Sequence, residues 1–343
     1  MKISSLPFAL LLFLVFAVPA AIRGADAPEN VRLEVFDFFD FGAMRKSPSG
    51  ELLRKYIFDD LKNSPEAADL FAAVNSVCGT SVPESVKRAT VAVFADPALG
   101  RIDAAKFEFD GAAADCDASR FALLEAHAGN SHWRAPALFG LGAGTLPTVP
   151  FPDALAKKLP APFALDAKTV FFHADSEKKT CSLITLRADP KNAEPVADAR
   201  TDELGDLLLR ASREGTLVFR KFPRRTHDAK ADEEFLIEIP AGEFSVSELG
   251  ARTKLTLDFH CADAHETAFF ERFFRLLRTK LISGANAQDE ASRQAISAVG
   301  EALSVSAERG LLRIEIDCAA SDFSEFLKRR EVWETRAHDR RKN

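Results

Sequence analysis

The chain is poor in several features that would narrow its chemistry. It has one Tyr and two Trp against 29 Phe in 343 residues. Sugar-binding surfaces and interface hot spots lean on Trp and Tyr, whose rings carry a polar handle. The ratio therefore speaks against a glycan-binding module and for a dry, Phe-packed interior. No G-x-S-x-G and no H-E-x-x-H occurs, so the signatures of a nucleophile elbow and of a helix-borne zinc pair are missing. There is no Asn-x-Ser/Thr sequon. Cysteine is sparse, with five residues and no C-x-x-C spacing, which disfavours a structural metal site. Beyond the N-terminus no stretch approaches the run of about 20 apolar residues that a membrane-spanning helix needs. Positive charge is in slight deficit, 45 Lys and Arg against 51 Asp and Glu, and phosphate backbones need the opposite balance. Nucleic acid is not an expected partner, and no cofactor is implied.

What remains is an ordinary globular composition, 47% hydrophobic and 28% charged, in a chain long enough for roughly two domains. Its N-terminus carries the strongest signal. Lys2 precedes an apolar run over 8–18, and Val18-Pro19-Ala20 supplies small residues at the −3 and −1 positions. That order is the pattern of a secretory signal peptide over 1–21, cut after Ala20 or Ala21, with Gly24 an alternative. The first cysteine is Cys78, too far from the cut for a lipoprotein anchor. The expected product is soluble and exported, periplasmic or extracellular.

Export would place Cys78, Cys116, Cys181, Cys261 and Cys318 in an oxidising compartment. If two helices between strands reverse the chain twice, Cys261 meets Cys318 and Cys78 meets Cys116 at one sheet edge, leaving Cys181 single. If the helices act as one crossover, the same cysteines lie at opposite ends and cannot bridge. We expect the pairing.

Lys106-Phe107-Glu108-Phe109-Asp110, Leu255-Thr256-Leu257-Asp258-Phe259 and Arg313-Ile314-Glu315-Ile316-Asp317 alternate apolar and polar residues, as half-buried strands do. Each precedes a cysteine and then a helical stretch, with Ser119, Asp263 and Ser321 at N-cap positions. The pattern predicts strands over 31–41, 86–95 and 104–110 with helices over 50–62, 65–77 and 119–128. The same order returns as a strand over 253–260, helices over 264–282 and 289–303, strands over 304–308 and 311–317, and a last helix over 323–330. Strands over 169–174, 181–188, 216–222 and 235–239 and a helix over 201–212 lie between. The fold class is α+β: two related modules of mainly antiparallel sheet covered by helices, a β-αα-β-β-α theme related to ferredoxin-like layering. The modules are expected over 28–145 and 166–330, separated by a Pro-rich linker over 146–165 and followed by a basic tail over 331–343.

The segment over 39–53, Phe-Asp-Phe-Gly-Ala-Met-Arg-Lys-Ser-Pro-Ser-Gly-Glu-Leu-Leu, resembles the strand and Ser-Pro-x-Gly opening of exported proteins carried in many copies by planctomycete and lentisphaera-type bacteria. The strand-Asp-helix-helix-strand stretch over 254–327 is similar to theirs. The resemblance implies export and α+β layers and transfers no catalytic residue.

Few residues invite chemistry. His260, Cys261, Asp263, His265 and Glu266 put metal-capable side chains within seven positions. However, a strand end followed by an N-cap sends side chains apart, so capping outweighs a metal site. Gly140, Gly142 and Gly144 do not have the spacing of a phosphate loop, and Pro147, Pro150 and Pro152 delay any helix; a plain turn is expected. His127, His132 and Trp133 read as an ordinary loop beside Gly129-Asn130. The helix carrying Phe269, Phe270, Phe273, Phe274 and Leu277 is amphipathic enough to lie on a membrane surface, but flanking strands offer it a sheet to cover, and it is expected in the core. The segment over 328–343 holds seven Lys or Arg against three Asp or Glu, with Trp333, Arg336, Arg340, Arg341 and Lys342 available to an anionic envelope surface. A solvated helix end is the simpler expectation for it. The functional expectation is an exported, non-catalytic binding or assembly protein of the cell envelope. The alternative is a hydrolase whose site does not show in the sequence.

Overall fold

Alternating stretches become strands and periodic ones become helices, in an α+β fold. The computed structural model describes residues 32–62, 86–96, 101–110, 131–134, 145–150, 169–175, 180–186, 199–226, 238–283 and 289–328. The chain forms two compact units, one from Val18–Gly42 and Tyr56–Arg213, the other including Ala43–Lys55 and Glu214–Asn343.

In the N-terminal unit, β1 (Arg32–Asp40) pairs antiparallel with β2 (Arg88–Asp96), and β2 with β3 (Arg101–Asp110). Farther on come β4 (Ser131–Arg134), β5 (Thr145–Pro150), β6 (Thr169–Asp175) and β7 (Thr180–Leu186). These give the strand order β1-β2-β3-β7-β6-β5-β4. Leu33, Val35, Phe36 and Phe38 of β1 and Val93 and Phe94 of β2 are buried. Phe41 stacks on Phe39 at 5.8 Å and meets Phe58 at 4.8 Å.

Helix α1 (Phe41–Met44) leads through a short turn into α2 (Pro48–Lys62). The Ser-Pro-x-Gly opening has a mechanical reason here. The Ser47 hydroxyl accepts from the Gly50 amide at 2.8 Å, capping the helix. Pro48 takes the first helical position, where its missing N–H costs nothing. Gly50 is needed because a Cβ there would lie 2.6 Å from the Met44 Cα. The helix thus starts two residues before the sequence pattern placed it. Helix α3 (Ala199–Ala211) closes the unit on buried Leu204, Leu207 and Ala211.

The C-terminal unit holds β8 (Thr216–Phe222), the short pair β9 (Arg225–Thr226) and β10 (Glu238–Ile239), β11 (Ala241–Leu249) and β12 (Arg252–His260). They are followed by α4 (Ala264–Ile282), α5 (Glu290–Ala302), β13 (Leu303–Glu308), β14 (Leu311–Ala319) and α6 (Ala320–Lys328). Its strand order is β13-β14-β12-β11-β8. Arg309 and Gly310, with φ of 48° and 84°, form the two-residue turn between β13 and β14, the left-handed geometry that suits a tight hairpin.

One face of this sheet is apolar and buried: Phe244 and Val246, Leu255, Leu257 and Phe259, Leu312, Ile314 and Ile316. The other face is a ladder of cross-strand ion pairs, Arg252 with Asp317, Lys254 with Glu315 and Arg313 with Asp258. A slip of one residue would turn both sets inside out, so the two faces fix the register. Ser49 of α2 is buried, donates to the Ala320 carbonyl at 3.1 Å and lies 3.5 Å from the Thr253 hydroxyl. Thr253 in turn donates to Glu248 at 3.2 Å. This polar thread ties an early helix to the last one.

Three expectations need correction. Ser321 is not an N-cap, because α6 already begins at Ala320. The stretch expected as a linker over 146–165 contains most of β5, which pairs with β4 and β6. The units divide at Arg213 and Glu214 instead, and Pro147 and Pro150 are part of the strand pairing. His132 and Trp133 lie in β4 rather than in a loop.

The signal peptide, the helices over 65–77 and 119–128, the glycines at 140–144, His127, Cys78, Cys116 and the basic tail with Trp333, Arg336, Arg340, Arg341 and Lys342 lie outside the described residues.

Candidate binding face on the Phe-rich helix

Helix α4 starts where the sequence predicts, and its start accounts for the metal-capable cluster. Asp263 is extended, with φ −151° and ψ 178°, and its carboxylate accepts from the Glu266 amide at 2.8 Å. That bond holds the Asp263 carboxyl below its usual range. The Glu266 carboxylate turns back to accept from the Ala262 amide at 2.6 Å and takes both arms of Arg224, at 2.6 and 2.8 Å. The arrangement is a capping box with an ion pair built on it, and Arg224 keeps Glu266 ionised below the ordinary glutamate range. His260 ends β12 on the exposed side and His265 is exposed in the first helical turn. These side chains therefore do not converge, and among the described residues no group of three His, Cys, Asp or Glu could hold a metal ion.

The expected bridge between Cys261 and Cys318 is not formed; both thiols are free. The register explains why. His260 faces Leu311 while Thr253 faces Cys318, so the cysteines sit at opposite ends of paired strands, roughly 25 Å apart at about 3.4 Å per residue. A disulfide needs Cα atoms within about 7 Å. β13 runs parallel to β12 on the far side of β14, so α4 and α5 act as one crossover, the arrangement that forbids the bridge. Burial pushes the Cys318 thiol up to about 11 and raises that of Cys261 more mildly.

The remainder of α4 separates its apolar residues into two stripes. Phe270, Phe274, Leu277 and Leu281 are buried. The Phe270 and Phe274 rings lie 5.6 and 5.9 Å from Phe259 of β12, and Phe222 of β8 meets Phe259 edge-on at 6.2 Å. The expectation of a core helix holds for this stripe. It fails for the other. Phe269 and Leu276 are 51% and 55% exposed, and Phe273 between them is half-buried. The spacing of four and then three residues puts the three on one line along the helix, about 10 Å long at 1.5 Å per residue. Phe269 and Phe273 stand edge-on against Phe270 and Phe274, at 5.2 Å in both pairs. The rings are thus braced from below while their outer edges stay open.

Arg272 and Lys280 border the open stripe, and Arg275 and Arg278 lie farther round the helix. Arg275 is tied to Glu271 at 2.7 Å. Arg272, Arg278 and Lys280 have no carboxylate within 4 Å among the described residues. Sequence spacing alone could not separate the two stripes, because adjacent Phe pairs look equally apolar until the sheet selects one member of each.

No family model and no curated protein matches the chain. Solved structures of TP0453 are similar to it. Crystal form III has 10% identity and a TM-score of 0.38, covering 90% of this chain and 97% of that one. Crystal form IV has 11% identity and a TM-score of 0.37, covering 85% and 91%. Such values transfer neither activity nor site.

Proposed function

We propose that the protein is an exported, non-catalytic binding or assembly protein of the cell envelope that works through the outer stripe of α4. The supporting observation is that Phe269 and Leu276 stand half exposed on a helix that has already buried four other apolar side chains. Large apolar side chains grouped in solvent are costly unless something covers them. Export rests on the N-terminal pattern of Lys2, the apolar run over 8–18 and the small residues around Ala20. The charged groups nearby serve architecture: Glu266 and Asp263 cap α4, while Asp258, Glu315 and Asp317 brace the sheet.

The test is fractionation of cells producing the chain, with Phe269→Ser plus Leu276→Ser as the probe. Envelope association should be strong for the parent and should fall about tenfold for the double variant, with unchanged thermal unfolding. Equal association of the two proteins would defeat the proposal.

A further inference from the structure

We infer that the occupant of the α4 stripe is an anionic lipid surface; this inference rests on the binding role assigned to the stripe above. The first argument is charge. Arg272 and Lys280 border Phe269, Phe273 and Leu276, Arg278 lies farther round the helix, and these three cations lack a carboxylate partner among the described residues. Arg224, Arg252, Lys254, Arg275 and Arg313 are ion-paired, while Arg309 in the β13–β14 turn is, like the stripe's cations, without a carboxylate within 4 Å among the described residues. Two unpaired cations, Arg272 and Lys280, thus stand at the stripe itself. A second copy of the chain packed antiparallel on this stripe would bring Arg272 and Lys280 against the same residues of its partner, which like-charge repulsion opposes. The occupant is anionic.

The second argument is size and shape. Phe269 and Leu276 about half exposed, with Phe273 less so, offer on the order of 250 Å² of apolar surface. A stable protein interface needs about 800 Å² on each partner, with pockets that receive anchoring side chains. The α4 stripe lies on the convex outer face of a helix. A fluid acyl boundary moulds itself around such a face, and Phe and Leu with Lys and Arg beside them are the composition that settles there. Each cation near an anionic bilayer adds about fivefold in affinity.

The experiment is co-sedimentation of the chain from residue 22 onward, so that the apolar run over 8–18 does not contribute. The vesicles are phosphatidylcholine alone, or phosphatidylcholine with an equal amount of phosphatidylglycerol. Binding to the phosphatidylglycerol vesicles should exceed that to phosphatidylcholine by about tenfold or more and should weaken as salt is added. Phe269→Ser plus Leu276→Ser, and separately Arg272→Glu plus Lys280→Glu, should each lower it by about tenfold or more. The charge variant keeps the rings in place, so the two tests are independent of one folding defect. Absence of binding by the parent overturns the inference, as does undiminished binding by both variants, which would assign the lipid contact to the basic C-terminal segment. If vesicles are not bound but the Phe269/Leu276 variant still leaves the envelope fraction, the occupant is an acidic protein: the lipid inference falls and the binding role stands.

Discussion

At the scale of single residues, chemistry-bearing side chains are mostly engaged in holding the fold. Glu266 shows this best, since it serves one backbone amide and one guanidinium at once. Its carboxyl is held below the usual glutamate value of 4.5, chiefly by Arg224. A lowered folded-state value means the pair stabilises fully above about 4.5 and loses that contribution as pH falls through the lowered value. Arg224→Gln should therefore lower the thermal midpoint at pH 7, and the gap to the parent should shrink at pH 3; a constant gap would assign the loss to packing. The two thiols give a second check. With its thiol pushed up to about 11 and its side chain buried, Cys318 should resist iodoacetamide in the folded chain. At pH 8 only about a thousandth of such a thiol is thiolate. Cys261 should label first and Cys318 only on unfolding, as peptide mass mapping would show. A bridged peptide joining the two would contradict the strand register.

At the scale of elements, α4 divides nearly identical side chains between two fates. Phe274 is 1% exposed and Phe269 is 51% exposed. Phe274→Ala should cost about 3–5 kcal/mol of unfolding free energy, the usual toll of an emptied aromatic site. Phe269→Ala should cost less than about 1 kcal/mol; urea titrations of both variants measure the contrast. Much at this scale was legible in the sequence. The alternation in 253–260 and 311–317 marked β12 and β14, and Asp263 marked the start of α4 to the residue. β11 was not expected, although Phe244 and Val246 alternate with Glu243, Ser245 and Ser247. Gly242 conceals its start: glycine is a poor strand former, but here a Cβ would strike the Asp258 carbonyl and crowd the Phe222 ring. Which Phe faces solvent was not legible, because the choice is made by where Phe259 sits on the neighbouring sheet. The fate of Cys261 and Cys318 was not legible either, since it turns on the direction of β13, which no local pattern encodes.

At the scale of the whole molecule, the units are not consecutive pieces of chain. Ala43–Lys55 belongs with Glu214–Asn343, and the Pro-rich stretch, which looked like a boundary, carries β5. Composition shows where the backbone turns but not which segment returns to which sheet. A fragment spanning 214–343 would lack Met44, Ser49 and Leu53, all buried in the intact protein. The lost burial and the lost Ser49 bond should cost on the order of 4 kcal/mol. The fragment should unfold at clearly lower urea than the same fragment joined to 43–55 through a flexible linker; equal midpoints would show that the early segment is dispensable. The hydrogen bond from Ser49 to Ala320 spans 271 residues. At about 5–20 residues per second of synthesis, Ser49 leaves the ribosome roughly 15–55 s before its acceptor is made. For that interval the Ser49 end of the helix has no acceptor, so this part of the C-terminal unit closes only after the chain through Ala320 has been made.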